Sequence, residues 1–303
     1  MRSRDRADFA PLQGSPDAGI GQPLAGFLKT ARPIQLFKTV FAVGWGQSCA
    51  NGNHFVPNVA SLVTTIGMVL LWAGLYGLND LADVDFDLQT VHKRFRPLAA
   101  GEIRSRDLVF VTIAEIFAGL LLLSSQSAIV ALIGVGLVTN QLLYSYQPFR
   151  LKHRFLWDVL SAAVFSHGAR FLVGLQGGPE RHWVAFAGGA LIFWKISAYL
   201  AYELEDAPSQ EQGRAGTAAR LGGKRTTAAC AVTILASYCC FTTYAFHTHL
   251  PAVATLAFTT MYAVAIYLYV TLFRTGMYPK ALEVLVFSAA GRVTPALRKA
   301  TSA

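Results

Sequence analysis

The sequence predicts an all-α integral membrane protein with eight or nine transmembrane helices. Two observations support this prediction. Of the 303 residues, 53% are hydrophobic and only 14% are charged, whereas soluble domains average about 25% charged residues. The apolar residues are also concentrated in stretches that approach the roughly 20 residues needed to cross a bilayer as a helix. This combination is not that of a soluble domain.

We place eight such stretches along the chain. They cover residues 36–50, 57–79, 108–125, 127–146, 155–175, 183–201, 227–246 and 251–273. A shorter apolar run at 281–290 is a candidate ninth helix, tilted or partly interfacial. The spans after the N-terminal segment therefore account for most of the chain.

The N-terminal segment has a different character. Residues 1–22 are charged and rich in Gly and Pro without periodicity, which predicts a disordered arm. Residues 23–31 predict a short interfacial helix that ends at Arg32-Pro33, because proline disfavours helical backbone before it. We therefore expect a single transmembrane domain over residues 23–303.

The net charge of +9 is unevenly distributed. Outside the spans, basic residues fall on the N-terminal arm, on the loops at 80–107, 147–154 and 202–226, and on the C-terminal segment, whereas the alternate loops hold only Arg181. By the positive-inside rule the N-terminus and both long charged loops are cytoplasmic. The basic excess orients a multi-pass protein, expected in a bacterial plasma membrane, and no nucleic-acid partner is expected.

The most informative stretch follows the second span, at Asn79–Asp87. Asp80, Asp83 and Asp87 stand at positions i, i+3 and i+7, so a helix places all three carboxylates on one face. Carboxylates this close repel each other and lose hydration at a membrane boundary, which favours a divalent cation between them. Mg²⁺ binds carboxylate oxygens together with phosphate oxygens. The alternative is an acidic loop that is solvated and balanced by basic neighbours.

Basic side chains accompany this motif. Lys93, Arg94 and Arg96 follow it directly and suit the anionic oxygens of a diphosphate. Lys38, just inside the first span, is either a further diphosphate ligand or a lysine that reaches the headgroups. The loop after the fourth span combines basic residues with tyrosines. Such a loop either contributes to the diphosphate site or is part of the belt of aromatic and basic residues at the membrane interface.

A weaker version of the acidic motif follows the sixth span. Glu203, Asp206 and Gln210 repeat the offsets of the first motif, again after an apolar span and before a basic loop containing glycine. This pattern predicts two four-helix half-repeats with their acidic faces opposed across one cavity. The alternative is that the match in spacing between the two motifs arises by chance, since Glu and Gln replace two of the three aspartates.

These residues resemble the UbiA superfamily of intramembrane prenyltransferases. The most specific part is Asn-Asp-x-x-Asp-x-x-x-Asp at 79–87, followed by Arg96-Pro97-Leu98 and Gly101. The second aspartate-rich motif of that family falls on Glu203, Asp206 and Gln210, with Thr217, Leu221 and Gly222 behind it, and Tyr146 and Arg150 are similar to its Tyr-x-x-x-Lys diphosphate contact. In this second motif Glu203 and Gln210 replace two of the aspartates of the family.

The resemblance implies helices around a central cavity open to the bilayer and a Mg²⁺-dependent transfer of an isoprenyl group. A polyprenyl diphosphate donates that group to an aromatic or other electron-rich acceptor in contact with membrane lipid, and diphosphate is released. It assigns the metal to Asp80, Asp83, Asp87 and Asp206, and catalysis to Asp83, Asp206 and Glu203. The residues expected to contact the diphosphate are Asn79, Lys38, Lys93, Arg94, Arg96, Tyr146 and Arg150.

Three other functions stay open. The first half also resembles decaprenyl-phosphate phosphoribosyltransferases, in Arg32-Pro33-x-Gln35-x-x-Lys38 and in the segment 93–101, which implies phosphoribosyl diphosphate as donor. A terpene cyclase would use the same scaffold without an acceptor. A transporter is disfavoured because transporters place their charges near the middle of the membrane, whereas these acidic residues gather at helix ends.

Overall fold

The computed structural model describes residues 21–54, 56–89, 93, 95–176, 182–206 and 216–275, and all regular secondary structure in these ranges is helical. The helices are α1 (Gly21–Thr30), α2 (Pro33–Ala50), α3 (Val59–Gln89), α4 (Ser105–Ser124), α5 (Ala128–Ser145), α6 (Trp157–Val159), α7 (Ser166–Gly174), α8 (Val184–Asp206), α9 (Thr217–Leu221), α10 (Gly223–Thr248) and α11 (Ala252–Thr275). The predicted all-α fold is confirmed.

Each of the eight predicted spans corresponds to helical structure in the described residues. The fifth is not uniform, because a π-helical segment, Leu160–Phe165, joins α6 to α7. The predicted ninth helix at 281–290, and residues 1–20 of the predicted arm, lie outside the described residues.

The described surface is that of a membrane protein. Segments 59–88, 105–124, 128–145, 184–204 and 217–248 are long and apolar enough to cross a bilayer. Large apolar side chains on these and neighbouring helices are exposed, among them Phe110 at 75% and Phe246 at 76%. Such exposure suits contact with lipid tails, and the prediction of an integral membrane protein is confirmed.

The break between α1 and α2 is where proline predicts it. Arg32 has a φ of 51°, in the left-handed region, and Pro33 opens α2. Proline needs no hydrogen bond at the first helical position, so α2 can begin there without a side-chain cap. This turn directs the Arg32 side chain toward α3.

Helix α3 is longer than its apolar span. Its 31 residues extend about 46 Å at 1.5 Å per residue, well beyond the roughly 30 Å hydrocarbon core. The apolar run ends at residue 79, but the helix continues to Gln89. The acidic motif is therefore part of a helix.

The chain divides into two compact units, one within residues 1–152 and 165–180 and the other within 153–164 and 181–303. In the first unit α3 packs along α4, and α2 packs against α7. In the second unit α8 packs along α10, where the Ser197 hydroxyl donates to the Cys230 carbonyl at 3.1 Å and the Ser237 hydroxyl donates to the Ala190 carbonyl at 2.6 Å. The predicted half-repeats across a cavity concern the relation of the two units and stay a prediction.

Two glycines allow α2 and α7 to approach backbone to backbone. A Cβ on Gly46 would lie 2.2 Å from the Phe171 carbonyl oxygen, and a Cβ on Gly174 would lie 2.0 Å from that of Val43. Both clashes involve backbone atoms, which have no rotamer to change. Any side chain at either position therefore forces the two helices apart.

Gly46→Ala is expected to destabilise the first unit by about 1–3 kcal/mol, because overpacking displaces a whole helix. The measurement is the thermal unfolding midpoint of the detergent-solubilised protein. Gly136→Ala is the matched control, since its Cβ would meet only the Phe165 ring at 3.5 Å. Equal midpoints for the two variants would contradict this account of the α2–α7 contact.

Candidate active site

Three buried carboxylates occupy one face of the last three turns of α3. Asp80, Asp83 and Asp87 are 2%, 9% and 1% exposed. Asp85, which lies on another face of the same turns, is exposed. The i, i+3, i+7 spacing thus places the carboxylates together as predicted, inside the protein rather than in solvent.

Two arginines neutralise the outer carboxylates of this face. Arg96 Nη1 lies 2.8 Å from Asp87 Oδ2 and 3.4 Å from Asp80 Oδ1, so one guanidinium spans both groups. Arg32 forms a second ion pair with Asp80. Burial alone would lower the pKa of Arg96, but the Asp80 and Asp87 carboxylates outweigh it, so the pKa of Arg96 is raised and the side chain stays charged.

The middle carboxylate, Asp83, has cations from a different segment. Lys152 forms an ion pair with Asp83, and Arg150 Nη2 lies 3.3 Å from the same oxygen, Oδ1. Burial is the largest influence on Lys152 and lowers the pKa of its ammonium, against the attraction of Asp83. We name Asp80, Asp83, Asp87, Arg32, Arg96, Arg150 and Lys152 the charged cluster.

Apolar packing holds the basic loop against α3. Leu98, Ile103 and Leu108 form a small buried core to which Leu81 and Val84 of α3 contribute. The loop is also closed by backbone hydrogen bonds, including that from Glu102 N to the Pro97 carbonyl at 2.8 Å. Arg96 is therefore carried by an ordered turn.

The end of α5 is tied to α3 beside the charged cluster. The Ser145 hydroxyl donates to Asn79 Oδ1 at 3.2 Å, and the Tyr146 hydroxyl donates to the Leu78 carbonyl at 3.1 Å. Burial, with a smaller effect of the Asp83 charge, raises the pKa of Tyr146, so its hydroxyl remains a donor. Asn79 and Tyr146 thus brace the two helices next to the cluster.

Three further residues of the first unit, Lys38, Lys93 and Arg94, are predicted to contact the diphosphate. Lys38 is half-buried on α2. Lys93 Nζ lies 5.2 Å from the centroid of the Phe86 ring, a cation–π distance. Arg94 lies outside the described residues.

The second predicted motif belongs to the second unit. Glu203 is half-buried on α8, and Asp206 is the last residue of that helix. The Asp206 side chain and all of Gln210 lie outside the described residues. Their predicted roles stay predictions.

A different carboxylate is the structural centre of the second unit. Asp158 is 0% exposed and accepts hydrogen bonds from the Thr217 backbone N–H at 2.6 Å, the Val159 N–H at 2.8 Å and the Thr217 hydroxyl. The Thr217 hydroxyl also accepts from the Leu156 N–H at 2.6 Å. Thr217, the threonine of the family-like motif, thus joins the start of α9 to the start of α6.

Sequence reasoning missed three polar contacts. The sequence places Arg32 at a helix break and in the segment that resembles phosphoribosyltransferases, and Lys152 in a basic loop, but it does not predict that both pair with aspartates of α3. Asp158 had no role. The available signal was position: Arg32 directly precedes a helix-opening proline, and Asp158 follows a basic loop at the start of a span.

Whether the charged cluster fits Mg²⁺ depends on its donor atoms and on their arrangement. Among the described residues, no three His, Cys, Asp or Glu side chains converge on one metal position. The donor set is nevertheless all carboxylate oxygen, which Mg²⁺ prefers, and buried Asp87 Oδ1 accepts no hydrogen bond within the described part of the chain. Asp80 and Asp87 also reach one guanidinium, so a cation between them is feasible. The aspartates of α3 therefore fit Mg²⁺ if the ion takes the place of the basic side chains that now pair with them.

This chain is similar to known proteins in both sequence and structure. A model of the UbiA prenyltransferase family matches residues 39–287. The 4-hydroxybenzoate octaprenyltransferase of Azotobacter vinelandii is 27% identical over 180 residues, and that of a Pseudomonas aeruginosa strain is 26% identical over 180 residues. Each alignment covers 58% of this chain and 58% of the relative. The chain thus spans less than two thirds of the length of these relatives.

Solved structures share the fold. A UbiA homologue from Aeropyrum pernix K1 superimposes with a TM-score of 0.66 at 18% identity, covering 79% of this chain and 89% of that one. A UbiA homologue from Archaeoglobus fulgidus, solved with GPP and Mg²⁺, gives 0.61 at 17% identity, covering 83% and 99%. At such identities the likeness establishes the fold alone.

Thr217→Val is expected to destabilise the second unit by about 2 kcal/mol, because it removes a hydrogen bond to a buried carboxylate. Thr227→Val is the matched control, since the Thr227 hydroxyl donates only to the Gly223 carbonyl of its own helix. Thermal unfolding in detergent compares the two variants. A Thr217→Val protein as stable as its control would show that Asp158 does not depend on this hydroxyl.

Proposed function

The chain belongs to the UbiA prenyltransferase family, and we propose that it transfers an isoprenyl group from an isoprenyl diphosphate to an aromatic or other electron-rich acceptor. The reaction is proposed to require Mg²⁺ and to release diphosphate. One observation supports this most strongly: three buried aspartates on one face of a membrane helix form ion pairs with four basic side chains. Carboxylates with adjacent guanidinium groups suit a metal–diphosphate ligand.

Asp80, Asp83 and Asp87 would hold the metal. Bound there, Mg²⁺ would neutralise negative charge that develops on the leaving diphosphate. The basic side chains that now pair with these aspartates would then be released to the diphosphate oxygens. Arg96 and Arg32 suit this exchange because a guanidinium can donate two parallel hydrogen bonds to a phosphate group.

The chemical step is the replacement of one bond by another. The allylic C–O bond of the donor breaks and its electron pair leaves with diphosphate. A bond forms from a nucleophilic atom of the acceptor to the isoprenyl carbon, and the acceptor then loses a proton. The arginines and lysine of the charged cluster stabilise the leaving group, while Glu203 or Asp206 is the proposed proton acceptor.

The proposed class of acceptor is based on the names of the proteins to which this chain is similar. Two proteins named 4-hydroxybenzoate octaprenyltransferase are 26–27% identical to the aligned part of this chain. A phenol ring is electron-rich and is attacked readily by an allylic cation. We therefore propose a phenolic acceptor, with the isoprenoid tail of the donor in contact with membrane lipid.

The proposed orientation puts the charged cluster on the cytoplasmic side of a bacterial plasma membrane. Basic residues concentrate in the loops that flank the acidic motif, which the positive-inside rule assigns to the cytoplasm. A diphosphate donor made in the cytoplasm would then reach the cluster directly.

Phosphoribosyl diphosphate is a second candidate donor, with a polyprenyl phosphate as acceptor. One observation favours it: Arg32, from the segment that resembles phosphoribosyltransferases, pairs with Asp80. The two donors are separated by measuring diphosphate release from each in parallel. Release from isoprenyl diphosphate alone supports prenyl transfer; release from phosphoribosyl diphosphate alone overturns it. Release without any acceptor product would indicate a cyclase or hydrolase.

Asp83→Asn is expected to lower the rate of diphosphate release at least about 100-fold, because it removes a metal ligand and an electrostatic anchor of the leaving group. Asp85→Asn is the matched control on an exposed position of the same turns and should keep nearly full activity. Both proteins should fold and insert, but Asp83→Asn should unfold at a lower temperature than the wild type, because it leaves Arg150 and Lys152 without their ion pair. Activity is therefore compared per amount of folded protein. Wild-type turnover by Asp83→Asn would exclude the metal assignment.

A further inference from the structure

The second unit carries exposed basic side chains that no exposed acidic side chain accompanies among its described residues. Arg220 of α9 and Lys224 and Arg225 of α10 are exposed. The acidic side chains that the structure describes in this unit are Asp158, which is buried, and Glu203, which is half-buried. Within the described residues, Lys224 and Arg225 form no ion pair. Their positive charge is therefore not balanced by the part of the chain that the structure describes.

Lys224 and Arg225 do not stabilise the helix that carries them. They lie in the first turn of α10, at the positive end of the helix dipole, where basic side chains weaken a helix. Gly222 and Gly223 precede them, and a Cβ at either glycine would meet no atom within 4 Å. The space beside this turn is open, so the two cations are available to a partner outside the helix.

Three large apolar side chains are exposed in the turn that leads into α6. They are Phe155, Leu156 and Trp157, of which Leu156 is 51% and Trp157 is 55% exposed. The Leu156 N–H donates to the Thr217 hydroxyl at 2.6 Å, so the fold holds this turn in place. Tryptophan is enriched where a membrane meets water. The turn therefore presents apolar groups of the kind found at a membrane interface.

Hydrogen bonds join α9 both to this turn and to α10. Arg220 Nη2 donates to the His153 carbonyl at 3.3 Å, and the Thr226 hydroxyl of α10 donates to the Ala218 carbonyl at 3.1 Å. The apolar and the basic side chains thus belong to one continuous surface of the second unit. We name this the interfacial surface, formed by Phe155, Leu156, Trp157, Arg220, Lys224 and Arg225.

The interfacial surface lies beyond the lipid-facing part of α10. Val232 and Leu235 on the same helix are 65% and 54% exposed, which suits contact with lipid tails. The helix rises about 10 Å from Arg225 to Val232, at 1.5 Å per residue. This distance places the cations at the level of the phospholipid headgroups, beside the outermost part of the acyl chains.

We propose that the interfacial surface binds an anionic phospholipid. The lipid phosphate accepts charge-assisted hydrogen bonds from Lys224 and Arg225, and the glycerol and first acyl carbons contact the turn at Trp157. A zwitterionic phospholipid has the same phosphate, but its own cation offsets that charge, so it binds less tightly. The inference concerns the second unit alone and does not depend on the reaction proposed above.

A water-soluble diphosphate is the competing ligand for the same cations. It has the same phosphate oxygens but no apolar part. A free anion would therefore depend on Lys224 and Arg225 and not on Trp157, whereas a phospholipid depends on all three. This difference separates the two ligands experimentally.

The experiment titrates the purified full chain in detergent with phosphatidylglycerol or phosphatidylcholine of identical acyl chains, and native mass spectrometry counts the lipids that stay bound. The variants are Trp157→Ala and the double variant Lys224→Gln/Arg225→Gln. Inorganic diphosphate is added to the wild type as a competitor.

The matched control is the double variant Arg104→Gln/Arg106→Gln, which removes the same charge at the start of another spanning helix, α4. Arg104 and Arg106 are exposed, but exposed Glu102 and Asp107 lie beside them in the sequence. This segment should therefore attract anionic lipid less than the interfacial surface does.

The wild type should bind phosphatidylglycerol more tightly than phosphatidylcholine. Each basic side chain near anionic lipid strengthens binding about fivefold, so Lys224→Gln/Arg225→Gln should weaken phosphatidylglycerol binding at least about tenfold. Trp157→Ala should weaken it about threefold, because apolar contact is lost. The Arg104→Gln/Arg106→Gln control should match the wild type, and inorganic diphosphate should not displace the lipid.

Equal affinity of the wild type for the two lipids would overturn the proposal even if no variant folds. The proposal is also wrong if Lys224→Gln/Arg225→Gln keeps the preference for phosphatidylglycerol, or if the α4 control loses it to the same extent. Displacement of the lipid by inorganic diphosphate, or unchanged lipid binding in Trp157→Ala, would identify the surface as one for a free anion instead.

Discussion

Neutralisation of the α3 carboxylates organises the first unit. An ionised carboxylate removed from water loses several kcal/mol of hydration unless opposite charge or hydrogen bonds replace it. Asp80, Asp83 and Asp87 are nearly inaccessible, and their partners come from three separate segments. The turn before α2 supplies Arg32, the loop before α4 supplies Arg96, and the segment after α5 supplies Arg150 and Lys152. The three segments that meet at the C-terminal end of α3 are therefore held in place by the same charges that are proposed to bind the diphosphate and its metal ion.

The two units treat a buried carboxylate differently. Asp158 accepts hydrogen bonds from backbone N–H groups and the Thr217 hydroxyl, which are neutral and fixed by the helices that carry them. Asp83 faces Lys152 and Arg150, which are long and can turn to another anion. The first arrangement is suited to holding a fold together, the second to exchanging partners when a diphosphate and its metal ion bind. This contrast supports a structural role for Asp158 and a functional role for the aspartates of α3.

Sequence patterns predicted much of this molecule because the membrane restricts the choices. Apolar length gave the helices, and the i, i+3, i+7 spacing gave the shared face of the aspartates, since both follow from local geometry. The partners were not predictable in the same way: Arg32 is 48 residues from Asp80, and Lys152 is 69 residues from Asp83. Pairing over such distances depends on how helices pack, for example on the close approach of α2 and α7 at Gly46.

In the proposed function, the α3 carboxylates exchange basic side chains for Mg²⁺ when the donor binds. The most direct measurement is the affinity of an unreactive isoprenyl thiodiphosphate for the purified protein with and without Mg²⁺, in the wild type and in Asp87→Asn. Mg²⁺ should tighten binding to the wild type at least about tenfold, or 1.4 kcal/mol, and this gain should be largely lost in Asp87→Asn. Binding that is equally tight without Mg²⁺, or a gain that survives in Asp87→Asn, would contradict this exchange.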